Sequence, residues 1–306
     1  MEKIANTITT FKSYPTSIKL FSLLGLYTFT KFSFSLLSWV KKNLLSFKQD
    51  LKAKYGDGWV VITGASDGIG FGYVEEFIKY NFKVCLIARN EEKLKSKISF
   101  LKEKYPESKL AYIVYDFNKT YTEEEYTDLK SKITSTSGDD ISVLVNNVGI
   151  AVIKPYKEMT LDEISSMVNV NVKAMLFTSK IVLEIMEKRK TRSLVISSGS
   201  VCGRIRPAGY TLYSGSKSYM EAYMEVLSKE YSNIDFTCFE IGAVATPMND
   251  EEMVMKISPL ENAHSALLRA GKYKFTTPHI KHEIFRNIFW CSPIVRKLLV
   301  PKGYVV

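Results

Sequence analysis

The feature that most constrains this fold is a regular alternation of short β-rich runs with longer helical stretches, which begins at Trp59. Runs rich in β-branched and aromatic residues predict six clear strands and a weaker seventh near residues 273–276. The clear strands are residues 59–63, 83–88, 110–115, 141–146, 193–198 and 235–240. The helical stretches between them are residues 69–80, 91–104, 122–136, 161–189 and 212–231. Crossovers of this length predict a doubly wound parallel sheet with helices on both faces, an α/β fold.

The residues before the first strand have a different character. Residues 18–40 contain no acid, and only Lys19 and Lys31 are charged. The longest uncharged stretch, residues 20–30, is shorter than the roughly 20 residues of a straight membrane-spanning helix. A polar stripe at helical spacing instead predicts an amphipathic helix on a membrane surface, with a tilted span, a re-entrant hairpin or a soluble helix that caps the core as alternatives. We therefore predict a membrane-associated segment and linker over residues 1–50 and a catalytic domain over residues 51–306.

The distribution of charge agrees with this division. The net charge of +10 arises from +6 in residues 1–58, −3 in residues 59–255 and +7 in residues 256–306. A nucleic-acid-binding domain would carry its basic patch on the folded body, whereas basic ends favour an anionic membrane surface. The four cysteines form no CxxC pair and the three histidines lie near the C-terminus, so the sequence predicts neither a disulfide framework nor a metal site.

A glycine-rich motif follows the first predicted strand. Residues 63–70 read TGASDGIG and open the next helix. Gly64 allows a tight turn, Gly68 lets the backbone approach a pyrophosphate, and Gly70 permits close helix packing. The helix N-terminus adds N–H donors and a positive dipole, to which Ser66, Asp67 and Ile69 contribute their backbone. A strand, turn and helix in this order predict a dinucleotide site in a Rossmann-type domain.

The end of the second strand predicts which dinucleotide binds. An NAD site usually presents an acid about 20 residues after the glycines, where this chain has Arg89. The planar guanidinium suits a 2′-phosphate, which favours NADPH. Asn90, followed by two glutamates, is a predicted helix N-cap. Further along, Asp116 is expected near the adenine, and Asn147 and Gly149, in the NNVG sequence, beside the ribose.

A pair of residues on the helix 212–231 carries the predicted chemistry. Tyr213 and Lys217 stand at i and i+4 and share a helix face, Ser200 lies 13 residues before Tyr213, and Asn171 lies in the preceding long helix. In order, TGASDGIG, NNVG and YSGSK resemble the TGxxxGxG, NNxG and YxxxK motifs of the short-chain dehydrogenase/reductase superfamily. The resemblance covers residues 59 to about 250.

The resemblance implies a Ser-Tyr-Lys-Asn tetrad at these four residues. Tyr213 would protonate the developing alkoxide, and Lys217 would lower its pKa. Ser200 would hold the carbonyl oxygen, and Asn171 would fix a water that relays protons. Tyr213 and Lys217 would also contact the cofactor, and Val244 and Thr246 would bind its nicotinamide amide, although the usual Pro-Gly before them is Ile241-Gly242 here.

Within the superfamily the chain is similar to very-long-chain 3-oxoacyl-CoA reductases and 17-beta-hydroxysteroid dehydrogenases, through YGDGW, DGIG, ARN, NNVG and YSGSK. This likeness implies NADPH-dependent reduction of a 3-oxoacyl-CoA in fatty-acid elongation. It also implies an endoplasmic reticulum anchor, a cytosolic catalytic domain, contacts with other elongation enzymes and a homodimer. The alternatives are a steroid or retinoid dehydrogenase and a non-catalytic dinucleotide-binding scaffold, which would not need Tyr213 and Lys217. An apolar lid and a cationic rim for the acyl-CoA are expected after Thr246, at Met248, Met253, Val254, Met255, Lys256, Arg269, Lys272 and Lys274.

Overall fold

The computed structural model describes residues 14–44, 49–119, 121–249 and 255–291. The chain divides into two compact units, Met1–Phe47 and Lys48–Val306.

The described part of the N-terminal unit is one continuous helix, α1, over Thr16–Leu44. Its 29 residues give a length of about 44 Å. Within Thr16–Asn43, an 18-residue window has a mean hydropathy of 1.4 and is 0% buried, so by length and composition the helix could cross a membrane. A signal sequence near an N-terminus passes the same test. This unbroken helix has no turn for a re-entrant hairpin, and its length exceeds the roughly 30 Å of a bilayer's hydrocarbon core.

The second unit contains a seven-stranded sheet in the order β3-β2-β1-β4-β5-β6-β7. Every neighbouring pair is parallel. The strands are β1 Trp59–Thr63, β2 Lys83–Ala88, β3 Leu110–Val114, β4 Ile141–Asn146, β5 Ser193–Ser198, β6 Ile234–Phe239 and β7 Phe275–Thr276. The chain reverses its winding direction between β1 and β4, so a crevice forms at the carboxyl ends of these strands, where ligands of such sheets bind. The predicted doubly wound fold is confirmed.

Helices cover both faces of the sheet. They are α2 Leu51–Tyr55, α3 Gly68–Lys79, α4 Glu91–Lys104, α5 Glu123–Ser137, α6 Leu161–Val168, α7 Ala174–Met186, α8 Cys202–Ile205, α9 Thr211–Glu230, α10 Pro259–Leu267 and α11 Ile280–Cys291. One buried apolar cluster joins α2, α3, α4 and α10 to residues such as Val60 and Ile62 of β1. The second buried cluster joins α5, α7 and α9 to the opposite face of the sheet, to which Val61 of β1 belongs. The alternation of side chains along a strand thus produces two cores, one on each face.

Local capping explains where several helices begin. The Asn90 side chain accepts a hydrogen bond from the Lys93 N–H at 2.8 Å, as predicted for the N-cap of α4. Thr160 and Glu163 form a capping box at α6. The predicted helix over residues 161–189 is wrong in one respect, because a π-helical turn over Asn169–Lys173 separates α6 from α7. Apolar periodicity does not reveal such a turn, which inserts one residue into the helix.

Candidate active site

The glycine-rich turn between β1 and α3 packs so closely that two of its positions leave no room for a side chain. A Cβ atom on Gly70 would lie 2.2 Å from the Gly64 carbonyl oxygen and 2.6 Å from Asn147 Nδ2. Gly64 has a φ of +64°, and a Cβ there would lie 2.9 Å from the Val148 Cα atom. Both positions therefore require glycine, and the turn lies directly against the end of β4. A backbone this bare, followed by the N-terminus of α3, fits a dinucleotide pyrophosphate.

The segment after β6 reaches the same turn from the other side. A Cβ on Gly68 would lie 3.0 Å from Thr246 Cγ2, so Thr246 faces the glycine turn. Two backbone hydrogen bonds hold this segment to Ile257: Ile257 N–H donates to the Ala243 carbonyl at 3.2 Å, and Ala245 N–H donates to the Ile257 carbonyl at 2.9 Å. Val244 is buried. The structure therefore brings Val244 and Thr246, more than 170 residues from the glycines in sequence, to the predicted cofactor site.

Charged side chains lie around the start of α3 and the end of β2. Asp67 caps α3 by accepting from the Gly68 N–H at 2.8 Å, and it forms an ion pair with Lys93. Partial burial raises the pKa of Asp67, but the hydrogen bonds from Lys93 and Gly68 outweigh this effect and leave the pKa below its usual value. Arg89 is exposed directly after β2. Lys93 thus compensates the Asp67 carboxylate, and Arg89 adds an exposed positive charge at the end of β2.

Three other predicted cofactor positions have different surroundings. Asp116 is exposed just after β3, and its carboxylate accepts a hydrogen bond from the Asn118 N–H at 2.9 Å. Ser66 and Ile69, in the glycine-rich turn, are half-buried. All three lie at the carboxyl edge of the sheet, as the sequence predicts.

Asn147 connects three strands through its side chain. Its Nδ2 donates to the Thr63 carbonyl at 3.1 Å, and its Oδ1 accepts from Ser198 Oγ at 3.1 Å. Thr63 Oγ1 accepts from the N–H groups of Asn147 at 3.0 Å and Val148 at 3.1 Å. The sequence predicts only a ribose contact for Asn147, whereas the structure also shows that its amide ties β1, β4 and β5 together at the site.

Lys217 is buried and bonds to Ser198, the residue of β5 that contacts Asn147. Its Nζ donates to the Ser198 carbonyl at 2.7 Å and lies 5.6 Å from the centre of the Tyr213 ring, one turn earlier on α9. Burial lowers the pKa of Lys217 to about 8. The lysine is therefore charged at neutral pH and can lose its proton in a mildly alkaline solution.

The Tyr213 hydroxyl meets Ser200, which follows β5. Burial raises the pKa of Tyr213, and a hydrogen bond with Ser200 acts in the opposite direction. Ser200 Oγ also accepts from the Cys202 N–H at 3.2 Å, which fixes the serine rotamer. In the protein alone the phenol is thus protonated at neutral pH, which is the state that a proton donor needs.

Asn171 lies in the π-helical turn and faces the NNVG segment. Its Nδ2 donates to the Ile150 carbonyl at 2.9 Å, and its Oδ1 accepts from the Ile150 N–H at 2.8 Å. A Cβ on Gly149 would lie 3.4 Å from Asn171 Oδ1 and 3.7 Å from Lys217 Nζ. Asn171, Gly149 and Lys217 therefore meet at one point, and the structure brings together all four residues of the predicted tetrad.

The comparison with known families agrees with this geometry. Residues 58–256 match the family model described as short chain dehydrogenase. This chain is a member of the short-chain dehydrogenase family. As a short-chain dehydrogenase, it is an oxidoreductase that interconverts a carbonyl and a hydroxyl group.

This short-chain dehydrogenase is similar both to proteins named 3-oxoacyl-CoA reductases and to proteins named steroid dehydrogenases. The human very-long-chain 3-oxoacyl-CoA reductase is 31% identical over 246 residues, which is 75% of this chain and 74% of that protein. A Caenorhabditis elegans protein named "Putative steroid dehydrogenase 2" is 32% identical over 255 residues, which is 80% of this chain and 78% of that protein.

Solved structures share the fold. A short chain dehydrogenase from Escherichia coli CFT073, complexed with NADPH, has a TM-score of 0.65 and 25% identity, and it covers 72% of this chain and 95% of its own. A 7beta-hydroxysteroid dehydrogenase has a TM-score of 0.70 and 18% identity, and it covers 82% of this chain and 97% of its own. The second likeness concerns the fold alone.

The structure also corrects and extends the site predicted from sequence. Arg269, expected on a cationic rim, is buried and donates to the carbonyl groups of Ser265 and Pro278, so it supports the chain instead of facing a substrate. Met253 and Val254 of the expected lid lie outside the described residues. The structure adds Ser198, whose carbonyl accepts from Lys217, and its only sequence signal was its place at the end of a strand.

Proposed function

We propose that the protein reduces a long-chain 3-oxoacyl-CoA to the 3-hydroxyacyl-CoA with NADPH as the hydride donor. One observation carries the reaction type: Tyr213 lies beside Ser200 and 5.6 Å from Lys217 Nζ, measured from its ring centre, and Lys217 bonds to the Ser198 carbonyl at the same sheet edge as the glycine turn. A non-catalytic scaffold would need the glycine turn but gains nothing from this cluster. The relatives named as 3-oxoacyl-CoA reductases support the substrate class.

Each residue of the cluster has a distinct role. Bound NADPH supplies the hydride for the carbonyl carbon. Tyr213 gives its phenolic proton to the carbonyl oxygen, and Ser200 holds that oxygen within reach of the phenol. Lys217, as an ammonium, stabilises the phenolate that Tyr213 becomes, and a water held near Asn171 returns the proton. A positioned acid of this kind contributes roughly 10²- to 10⁴-fold to the rate.

The cofactor assignment depends on residues at the sheet edge. The turn at Gly64, Gly68 and Gly70 fits a pyrophosphate, since it carries no side chains at these positions and leads into the N-terminus of α3, which offers backbone N–H groups and a positive dipole. Arg89 offers a planar cation for a 2′-phosphate, and the similar structure from Escherichia coli is complexed with NADPH. Asp116 is assigned to the adenine, Asn147 and Gly149 to the ribose, and Val244 and Thr246 to the nicotinamide amide.

The location is also part of the proposal. Helix α1 exposes large apolar side chains along its length, among them Phe21 at 74% and Phe34 at 73% exposure. Burying such surface in a bilayer is strongly favourable, at about 25 cal/mol per Å². We assign residues 1–50 to a membrane-associated segment and linker in the endoplasmic reticulum, and residues 51–306 to a cytosolic reductase domain. A long acyl chain would then reach the active site from the membrane in which it is dissolved.

A second candidate is a hydroxysteroid dehydrogenase, which the relatives named as steroid dehydrogenases favour. The deciding experiment measures kcat/KM with NADPH in detergent for 3-oxoacyl-CoAs of increasing chain length and for a panel of ketosteroids. The Tyr213→Phe variant serves as the control for uncatalysed reduction. We expect higher kcat/KM for the long acyl-CoAs. Higher values for ketosteroids would establish the second candidate, and no turnover of either class above the variant would refute both.

A further inference from the structure

The turn after β6 places Thr246 against the glycine turn, so its shape matters for the cofactor. It begins at Ile241 and Gly242, and neither residue restricts the backbone as a proline would. A mobile turn would cost affinity, because it would have to become ordered when the cofactor binds. A contact with another part of the chain is therefore needed to hold this turn in place.

An imidazole ring from the C-terminal helix α11 lies on Gly242. A Cβ atom on Gly242 would lie 2.7 Å from His282 Cδ2 and 3.1 Å from His282 Cγ. Gly242 is not among the glycines with a positive φ, so its backbone conformation does not require glycine. The residue is small because the ring of His282 occupies the space where a side chain would be.

His282 also bonds to the next residue of the turn. Its Nε2 lies 3.1 Å from the Ala243 carbonyl oxygen. A carbonyl oxygen only accepts hydrogen bonds, so Nε2 carries the proton and donates. The same oxygen accepts from the Ile257 N–H at 3.2 Å, so two donors from different parts of the chain fix its direction.

The ring stays neutral, and the helix that carries it is fixed. Burial lowers the pKa of His282 to about 4, and the groups that influence it electrostatically are His279, Glu261 and Lys281. One helical turn later, Arg286 forms an ion pair with the buried Glu240, which immediately precedes Ile241. Helix α11 therefore contacts the chain on both sides of Gly242, through Arg286 at Glu240 and through His282 at Ala243.

We propose that His282 is a positioning residue that presets the turn over residues 241–246, so that Thr246 is in place to bind the nicotinamide end of the cofactor. This inference builds on the proposed use of NADPH, but it is independent of the identity of the carbonyl substrate. His282 acts through the Gly242 and Ala243 backbone.

A double-mutant cycle tests the proposal, with the dissociation constant of NADPH measured by fluorescence titration of the full chain in detergent. The variants are Gly242→Ala, His282→Ala and the pair together. We expect each single change to weaken NADPH binding about tenfold, the scale of a lost buried hydrogen bond or a displaced turn. In the pair, Gly242→Ala should add less than about twofold, because the ring that it strikes is gone. His282→Gln, whose amide can donate to the Ala243 carbonyl, should recover most of the affinity.

Two further measurements separate positioning from general stability. Melting temperatures of all variants show whether affinity changes without loss of the fold, and the control variant Lys95→Ala, at an exposed position on α4, should bind NADPH normally. Additive effects in the pair, or lowered melting temperatures with unchanged NADPH affinity, would overturn the role of His282 and leave the proposed function standing. A wild-type protein that does not bind NADPH would overturn both.

Discussion

Lys217 should set an upper pH limit for catalysis. Burial lowers the pKa of its ammonium from 10.5 to about 8, which corresponds to about 3 kcal/mol of preference for the neutral amine. The proposed mechanism needs the charged form, because a neutral amine cannot stabilise the Tyr213 phenolate. The value of kcat/KM should therefore fall about tenfold per pH unit above 8, to about one hundredth of its maximum at pH 10.

The effect of the same group on stability has the opposite direction. In the unfolded chain the lysine keeps its proton up to a pKa of 10.5, whereas in the folded protein it loses the proton near 8. Between these values the unfolded state binds more protons, so the stability contributed by this group rises with pH. Loss of activity above pH 8 should thus occur without loss of the fold at this site.

The assay follows NADPH oxidation from pH 6 to 10 with unfolding by urea measured at the same pH values. The matched control for stability is Lys217→Met, which has a similar length and no charge. The difference in unfolding free energy between wild type and this variant should change by up to about 3 kcal/mol between pH 8 and 10.5, in favour of the wild type. A kcat/KM that stays level to pH 10, or an activity loss that coincides with unfolding, would refute the reasoning.

Three further predictions concern the other parts of the site and the N-terminal helix. Replacing Tyr213 by Phe should lower kcat by about 10²- to 10⁴-fold while the NADPH dissociation constant stays within about threefold, and retained turnover would contradict the role of the phenol. Replacing Arg89 by Ala should weaken NADPH about 10- to 100-fold and leave NADH nearly unchanged, with Lys95→Ala in the following helix α4 as the control; equal losses for both cofactors would count against a 2′-phosphate contact. Deleting residues 1–47 should release the protein from membranes in an alkaline carbonate wash, and a full-length protein that is soluble without detergent would refute the anchor.

Much of the fold could be predicted because local sequence and tertiary structure agree. The inner strands β1, β2, β4, β5 and β6 are buried on both faces, so they appear as short apolar runs, and the helices between them begin at recognisable caps such as Asn90. The need for glycine at positions 64 and 70 was also predictable, because the motif that follows a strand has a direct steric meaning. The i, i+4 spacing of Tyr213 and Lys217 gave the centre of the site.

The unpredicted features depend on contacts between distant residues. No local pattern shows that the Ser198 carbonyl accepts from Lys217, since every residue has a carbonyl. His282 has its role only because Gly242 lies opposite it, 40 positions earlier in the sequence. Arg269 was expected on the surface because it lies in a basic stretch, yet helix α10 and the loop before α11 bury it and accept its hydrogen bonds.

The active site depends on the register of the sheet. Ile62 pairs with Val145, and Asn146 pairs with Ser197, so the residues that follow these positions meet at the carboxyl edge. A slip of one residue would move a strand by about 3.3 Å and turn its side chains to the opposite face. The hydrogen bond of 2.7 Å between Lys217 and the Ser198 carbonyl could not survive such a shift.

Catalysis and cofactor binding therefore share one framework. Thr63 at the end of β1, Asn147 after β4 and Ser198 at the end of β5 are bonded in sequence, and Lys217 bonds to the last of them. Thr63 is also the first residue of the glycine turn. A displacement of that turn would therefore shift Lys217 through the three hydrogen bonds that connect them. Because buried polar groups are costly to leave unpaired, this chain of bonds favours a single arrangement of the turn and the lysine. The protein can thus hold the proposed proton donor, Tyr213, in register with the proposed cofactor site before substrate or cofactor binds.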